Sequence, residues 1–404
     1  MLDELAAVPW ATLEHAYGPA TDVPQLLRDL ASSDPQVRES ARHDLYGNIY
    51  HQGTVYEATP HAVPFLVELL AAPDVAEKDC ILTYLADLAQ GSSYHDVHAG
   101  YEDEATRSSP EYQERTRQEL DWVAATRAAV HAGEPTYQRL LADPRYQVRG
   151  AAAYLLADIA EHADVIVPAL LTRLDTEPEP QVRATILISV GTLGQRQSIA
   201  EDALHARATT SPRPLERIAA AMGLVREAGE RTPADVAVAL GEALARPESS
   251  AAVAYAQTPW CAGGLLSDVA TALAGLGPAG ASAVPPLRVA FGQLRPLGDS
   301  APVTPGDNPL SITMTPAEGS APIDMGKVTS RPDTIPALVM ALALLRLTFS
   351  SRHEPGAALT EPQRQTLSVM AGSDAFWEFR INASELLESF GLPHDREGLR
   401  ALVG

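Results

Sequence analysis

RYQVRGAAAYLLADIA, residues 145–160, is matched 34 positions later by EPQVRATILISVGTLG, residues 179–194, so that Gln147, Val148 and Arg149 recur as Gln181, Val182 and Arg183. Pro180 and Arg183 recur after another 34 as Pro214 and Arg217 in RPLERIAAAMGL, residues 213–224. A fixed period of this length over three copies is the mark of a repeat array. In each copy Ala, Leu and Ile return three and four positions apart, a spacing that collects an apolar stripe on one side of a helix. The leading Pro suits a first turn, where its missing N–H removes nothing.

A second kind of helix follows the first: AVPFLVELL (62–70), IVPALLTRL (166–174), AVPPLRVAF (283–291) and TIPALVMAL (334–342) each carry a β-branched residue before Pro and a Leu-rich stripe after it. Proline presets φ, which predicts that these helices start at or near it, with Glu68, Arg173 and Arg288 pointing outward. Two antiparallel helices per unit cannot cover their apolar stripes alone. Units are therefore expected to stack into an all-α superhelix with a groove lined by successive second helices.

Asp34-Pro35-Gln36-Val37-Arg38, followed by Ala41 and Leu45, together with the later Gln-Val-Arg copies, resembles the first helix of HEAT and HEAT-like (bilin-lyase-type) repeats. The resemblance implies an all-α, right-handed α-solenoid. It also implies an Asp–Arg ladder between adjacent units, giving structural work to Asp34, Arg38, Arg149, Arg183 and Arg217. The match departs from the pattern at Glu179, where Asp is expected, at Asp143-Pro144, which stand two residues early, and before Arg217, where Val is missing. Packing is expected to be irregular there. Tetratricopeptide repeats share the period, but their Trp-Leu-Gly-Tyr pattern is absent.

The array divides into N-terminal units over 1–90, an insertion over 91–135, central units over 136–293, a Pro/Gly-rich excursion over 294–335 and a C-terminal helical cap over 336–404. The insertion reads as a polar loop that becomes a long amphipathic helix from Ser109. In the excursion, Ile312, Met314, Ile323 and Met325 offer anchors for an ordered path. In the cap, Glu361-Pro362 and Ser373-Asp374 read as helix starts, and Phe376, Trp377 and Phe379 close the core.

Hydrophobic residues make up 46% of the 404-residue chain but aromatics only 5%, a balance that favours closely packed Ala- and Leu-rich helices over a sandwich or barrel. The formal net charge of −22 repels phosphate backbones, which disfavours nucleic-acid partners. Lys78 and Lys327 are the only lysines, so nearly every cation is an arginine suited to pairing with carboxylates. Cys80 and Cys261, far apart, offer no disulfide framework and no zinc motif, consistent with a reducing cytoplasm. The N-terminus lacks a signal-peptide pattern, and no apolar run reaches membrane-spanning length.

YGNIYHQGTVYEATPHAVPFL, from Tyr46, concentrates polar and aromatic groups and resembles a segment of uncharacterised bacterial HEAT-like proteins. Tyr50, His51, Tyr56, Glu57 and His61 are a candidate binding pocket. The structural alternative is a turn with Gly53 at positive φ and Tyr rings packed between helices. His95, Asp96 and His98 have metal-ligand chemistry but not the i, i+4 spacing of a metallohydrolase, so a solvated loop is the default and no metal is assigned. Nucleophile elbows, P-loops and dinucleotide fingerprints are missing, so no catalytic residue and no cofactor is assigned. The cationic run Arg207, Arg213, Arg217, Arg226 and Arg231 is expected to be satisfied by carboxylates. HEAT-like alkylpurine DNA glycosylases need a basic concave face, which a charge of −22 argues against. The expected function is a non-catalytic scaffold or regulator, of toxin-neutralising (immunity) type among others, that holds a protein with a basic surface on the concave face of the acidic solenoid. The alternative is a lyase-like, small-molecule or cofactor-handling enzyme using the Tyr50–His61 cluster.

Overall fold

Helix starts follow proline and short polar caps. Pro35 opens the helix Pro35–Asn48 behind Asp34, whose Oδ1 accepts the Gln36 N–H at 2.9 Å. Pro110 opens Pro110–His131 behind the Ser109 cap, and Pro180 and Pro214 open Pro180–Gly194 and Pro214–Ala228. These are the first-turn positions where an N–H has no intrahelical partner. In the computed structural model the described residues are 2–194, 200–297, 310–314, 323–328 and 331–404. They fall into two compact units, Met1–Ser189 and Val190–Gly404.

In the first unit, the helix Thr59–Ala71 packs on Pro110–His131, and Lys78–Ala89 packs on Tyr146–Leu156. Leu66, Leu69, Leu82, Leu85, Val148 and Leu155 are fully buried on these helices, as are Leu45 on Pro35–Asn48 and Leu170 on Ala163–Thr176. Burying each such side chain is worth about 1.5–3 kcal/mol. Val148 and Val182 are buried as the repeat predicts, whereas Val37, at the same repeat position, is exposed.

In the second unit, Glu201–Thr210 pairs with Pro214–Ala228. Ala234–Ala245 pairs with Val284–Gly292, and Leu265–Gly275 with Pro336–Thr348. A Cβ at Gly191 would lie 2.0 Å from the Gly223 carbonyl oxygen, so two helices cross there with backbone against backbone. Phe376 and Phe379 are fully buried behind helices that start at Glu361 and Asp374. The chain continues past Pro393 into a further helix, Arg396–Val403.

Two expectations are corrected. Pro64 and Pro168 do not start their helices: Thr59–Ala71 and Ala163–Thr176 each begin a turn earlier and carry the proline inside. Each forgoes one backbone hydrogen bond, a loss confined to the N-terminal part of the helix. Of the four recurrent prolines that follow Val or Ile, only Pro285 of Val284–Gly292 and Pro336 of Pro336–Thr348 fall in a first turn, the former because Gly277–Ala283 ahead of it winds as a 3-10 segment. The polar stretch after Gly91 is not a loop, since it forms short helical turns at Tyr94–His98, Ala99–Tyr101 and Glu104–Arg107, capped by Ser93 and Asp103.

The strands that interrupt the helices are two-stranded antiparallel pairs: Glu14–His15 with Gly18–Pro19, Tyr50–His51 with Thr54–Val55, and Leu310–Met314 with Ile323–Val328. The last pair lies in the Pro-rich excursion and aligns Leu310 with Val328. Residues 298–309, 315–322 and 329–330 of that excursion lie outside the described residues.

Candidate functional site

The segment from Tyr46 turns back on itself as a hairpin. Gln52 and Gly53 both take positive φ, at 52° and 89°, and Gly53 bears this at no steric cost. The Thr59 hydroxyl donates to the Ile49 carbonyl at 2.6 Å and accepts the Tyr56 N–H at 2.8 Å, locking the return. Val55 N–H donates to the Ser92 carbonyl and Ser92 N–H to that of Gly53, which ties the hairpin to the chain after Lys78–Ala89.

This anchoring sets an open cleft of about 730 Å³ between two helix faces. From Pro35–Asn48 come Glu39, Arg42, His43 and Tyr46, at helical spacing. From Lys78–Ala89 come Asp79, Cys80, Thr83, Tyr84 and Asp87. Tyr17 and His51 close one end, with their rings edge to face at 5.4 Å. Tyr46 packs against Tyr50 at 5.0 Å and Tyr84 at 5.3 Å. The Tyr46 hydroxyl donates to Asp87 Oδ2 at 2.9 Å. Burial raises the Asp87 carboxyl above its ordinary value, and the Tyr46 hydrogen bond only partly offsets this.

The five candidate pocket residues do not meet around one point. Tyr50 is packed among Tyr46 and Tyr84, and His51 lies on the cleft rim beside Tyr17. Tyr56 accepts the Thr54 hydroxyl at 2.9 Å, and Glu57 accepts the Glu14 N–H at 3.2 Å. His61 lines a different hollow, beside Asp3, Glu4 and Phe65. The residues that do meet are Tyr46 and Asp87, and the cleft lining on each helix, Glu39, Arg42, His43 and Tyr46 on one and Asp79, Cys80, Thr83, Tyr84 and Asp87 on the other, carries a signal in its three- and four-residue steps. It becomes legible only once the two helices are known to be neighbours.

The recurrent arginines share one geometry. Arg38, Arg149, Arg183 and Arg217 each donate from Nη1 to the carbonyl six residues back, at Ser32, Asp143, Glu177 and Ser211. Arg38 and Arg149 also pair with glutamates. Glu77 takes Arg38 at 2.8 Å and Arg42 at 2.7 Å, and Glu177 takes Arg149 through both carboxylate oxygens at 2.7 and 2.8 Å. The Arg38 hydrogen bond is the main reason the Glu77 carboxyl sits below its ordinary value. Asp34 caps its own helix, without joining an arginine, among the described residues.

His95 gives its ring and backbone nitrogens to Glu119 at 2.7 and 2.9 Å, and His98 stacks on Tyr94 at 4.1 Å. Asp96 sits in the first turn of Tyr94–His98, its N–H bonded to Ser93. Among the described residues, no group of three or more His, Cys, Asp or Glu is placed to hold a metal ion. The cationic run is spent locally: Arg213 on Glu216, Arg231 on Glu201, Arg217 on a carbonyl, and Arg226 over the Trp260 ring at 4.2 Å. Arg207 reaches the carbonyl of Ala203. Among the described residues no helix is long and apolar enough to cross a membrane.

No curated protein matches the chain. Among solved structures it is similar to a crystal structure of an engineered protein from the Northeast Structural Genomics Consortium, with 17% identity, coverage of 95% of this chain and 98% of that one, and a TM-score of 0.31. Residues 133–225 match the family model described as HEAT repeats, and HEAT repeats serve in general as scaffolds for protein interaction. With the 34-residue recurrence and the repeated arginine geometry, this match shows that the chain carries HEAT repeats over residues 133–225, within an all-α fold of helix pairs.

Proposed function

We propose that the chain is a non-catalytic scaffold that holds a protein partner by a basic stretch of its surface, and that the cleft of the first unit is where it does so. The observation that carries this reading is the cleft itself: a half-buried Asp87 with Glu39 and Asp79 further along the same lining, walled by Tyr17 and Tyr46, in a chain of net charge −22. Acidic surfaces speed encounter with basic partners and reject acidic ones. Aromatic side chains add contact area at low entropic cost. A regulatory or toxin-neutralising role uses the same chemistry.

What supports this reading over a lyase-like one is the dispersal of Tyr50, His51, Tyr56, Glu57 and His61, which leaves no shared reacting centre. The local pairing of the arginine run supports a protein partner over a nucleic acid. Cys80 and Cys261 are both free, in keeping with a cytoplasmic setting.

The test is affinity capture from the source cell with the full chain and with an Asp79→Arg/Asp87→Arg variant, each at low and high salt, with cross-links mapped on the captured protein. The expected result is a basic protein cross-linked at the cleft and lost from the variant. The same set of captured proteins with both baits overturns the proposal.

A further inference from the structure

We infer that the cleft of the first unit is a receptor for a single arginine side chain of the partner, with the guanidinium lying against the Tyr46 and Tyr17 rings and paired to the Asp87 carboxylate. The inference deepens the scaffold reading and rests on it for the statement that the arginine belongs to a protein.

The argument begins with Asp87. Its carboxylate is half-buried at the cleft wall, and among the described residues its side chain takes one hydrogen bond, from the Tyr46 hydroxyl to Oδ2, and no cation. A desolvated carboxylate satisfied by one neutral donor is costly. It keeps acceptor capacity at the oxygen the tyrosine leaves free. The basic groups lining the cleft do not supply the missing charge, and among the described residues His43 makes no hydrogen bond or ion pair with Asp87. Arg42 is turned to Glu77 at 2.7 Å, and His51 faces the Tyr17 hydroxyl at 3.4 Å.

The walls favour a flat cation. Tyr17 is 69% exposed and Tyr46 43%, so both ring systems are open to a guest. Tyr46 is held by its contacts with Tyr50 and Tyr84 and by its bond to Asp87, so the ring is positioned before anything binds. Tyr84 is in turn fixed by donating its hydroxyl to the Leu45 carbonyl at 2.8 Å. A guanidinium stacks on such faces and offers a planar fork of N–H donors to a carboxylate, whereas an ammonium is a more strongly hydrated point charge that fits the same walls less well. The cleft volume falls within the range of about 300–1,000 Å³ usual for small-molecule guests, so an arginine side chain fits with room for the peptide backbone beside it.

The probe is a fluorescein-labelled peptide, Gly-Ser-Arg-Gly-Ser, compared by fluorescence anisotropy with the same peptide carrying lysine or citrulline in place of arginine. The full-length chain is tested beside Asp87→Asn and, as a control of equal charge change, Glu354→Gln at an exposed position. Circular dichroism confirms that each variant stays helical. The expected result is saturable binding of the arginine peptide, at least tenfold weaker binding of the citrulline peptide, and a several-fold loss with lysine. Asp87→Asn is expected to bind at least tenfold more weakly while Glu354→Gln stays within twofold. Equal binding of arginine and citrulline, equal binding by Asp87→Asn and Glu354→Gln, or no arginine binding at millimolar protein overturns the inference. If the arginine peptide fails while cellular capture still depends on the cleft, the arginine receptor falls and the scaffold stands. If the peptide binds as expected while capture is indifferent to the cleft, the scaffold reading falls instead.

Discussion

Replacing Glu177 by alanine is expected to destabilise the first unit by about 3–5 kcal/mol, the range for breaking a buried ion pair from one side. The size of the effect follows from where the positive charge is left. The Glu177 side chain is fully buried and binds Arg149 in a fork at 2.7 and 2.8 Å, Arg173 at 2.8 Å, and the Glu179 N–H at 3.0 Å. Arg173 is 22% exposed and can turn to water, but Arg149 is 8% exposed and is also pinned to the carbonyls of Asp143 and Pro144. Removing the carboxylate therefore strands one guanidinium in a site it cannot leave without breaking two further bonds. For a unit of this size about 1 kcal/mol corresponds to roughly 2–4 °C, so a drop on the order of 10 °C is expected in the transition of the first unit, read by calorimetry. An Arg149→Met/Glu177→Leu double variant removes both charges and is expected to recover most of that loss. A Glu177→Ala variant within 1 kcal/mol of the parent, or a double variant as unstable as the single, would refute the claim that the stranded charge sets the cost.

Three further outcomes are expected. Gly191→Ala must push a methyl group into the Gly223 carbonyl, so the second unit should lose at least about 1–3 kcal/mol in urea unfolding, and no loss would show that the two helices do not meet there. Asp34→Ala should cost about 1 kcal/mol, the value of a helix cap; a loss of 3 kcal/mol or more would indicate a ladder partner for Asp34. His131 bonds Asp158 at 2.8 Å and Glu161 at 2.5 Å. Burial works against its protonation, but those two hydrogen bonds prevail and raise it above its ordinary 6.5. A raised folded value means that the stabilisation is fully present below pH 6.5 and is lost as pH climbs through the folded value. Amide protection over residues 158–163 should therefore fall as pH rises above 6.5, and His131→Gln should abolish that dependence.

The legible part of the fold was its period, because a structural unit that must bury the same stripe in every copy repeats its residues at fixed offsets. Pro35, Pro180 and Pro214 mark helix starts correctly since the first turn tolerates them for a local reason. Pro64 and Pro168 misled for the complementary reason: Thr59, Ala62 and Val63 before one, and Ala163, Ile166 and Val167 before the other, are buried in the core, and that tertiary burial extends the helix back past the proline against weak intrinsic propensity. The short turns after Gly91 are not legible because they are held from outside any period: Tyr94–His98 is capped by Ser93 and tied through His95 to Glu119 and Tyr112 far along the chain, and Glu104–Arg107 has only its Asp103 cap.

The candidate site was legible only in part, and the recurrent arginines show why. Their positions repeat, and so does the carbonyl six residues back, because both lie within one unit. Their acids do not repeat: Glu77 lies 39 residues after Arg38 and Glu177 lies 28 after Arg149, since a partner reached across a turn of variable length has no fixed offset. The same logic governs the cleft. Tyr46 and Asp87 stand 41 residues apart, outside any period, and each alone reads as an ordinary polar position on a helix face. Only the packing of two helices turns them into a hydrogen-bonded pair beside an open aromatic wall. In a repeat protein of this kind the periodic residues build the frame, and recognition falls to the residues that break the period. Asp87→Asn, which spares the arginine frame and keeps an oxygen to accept the Tyr46 hydroxyl, should therefore leave the melting curve nearly unchanged and still weaken binding at least tenfold.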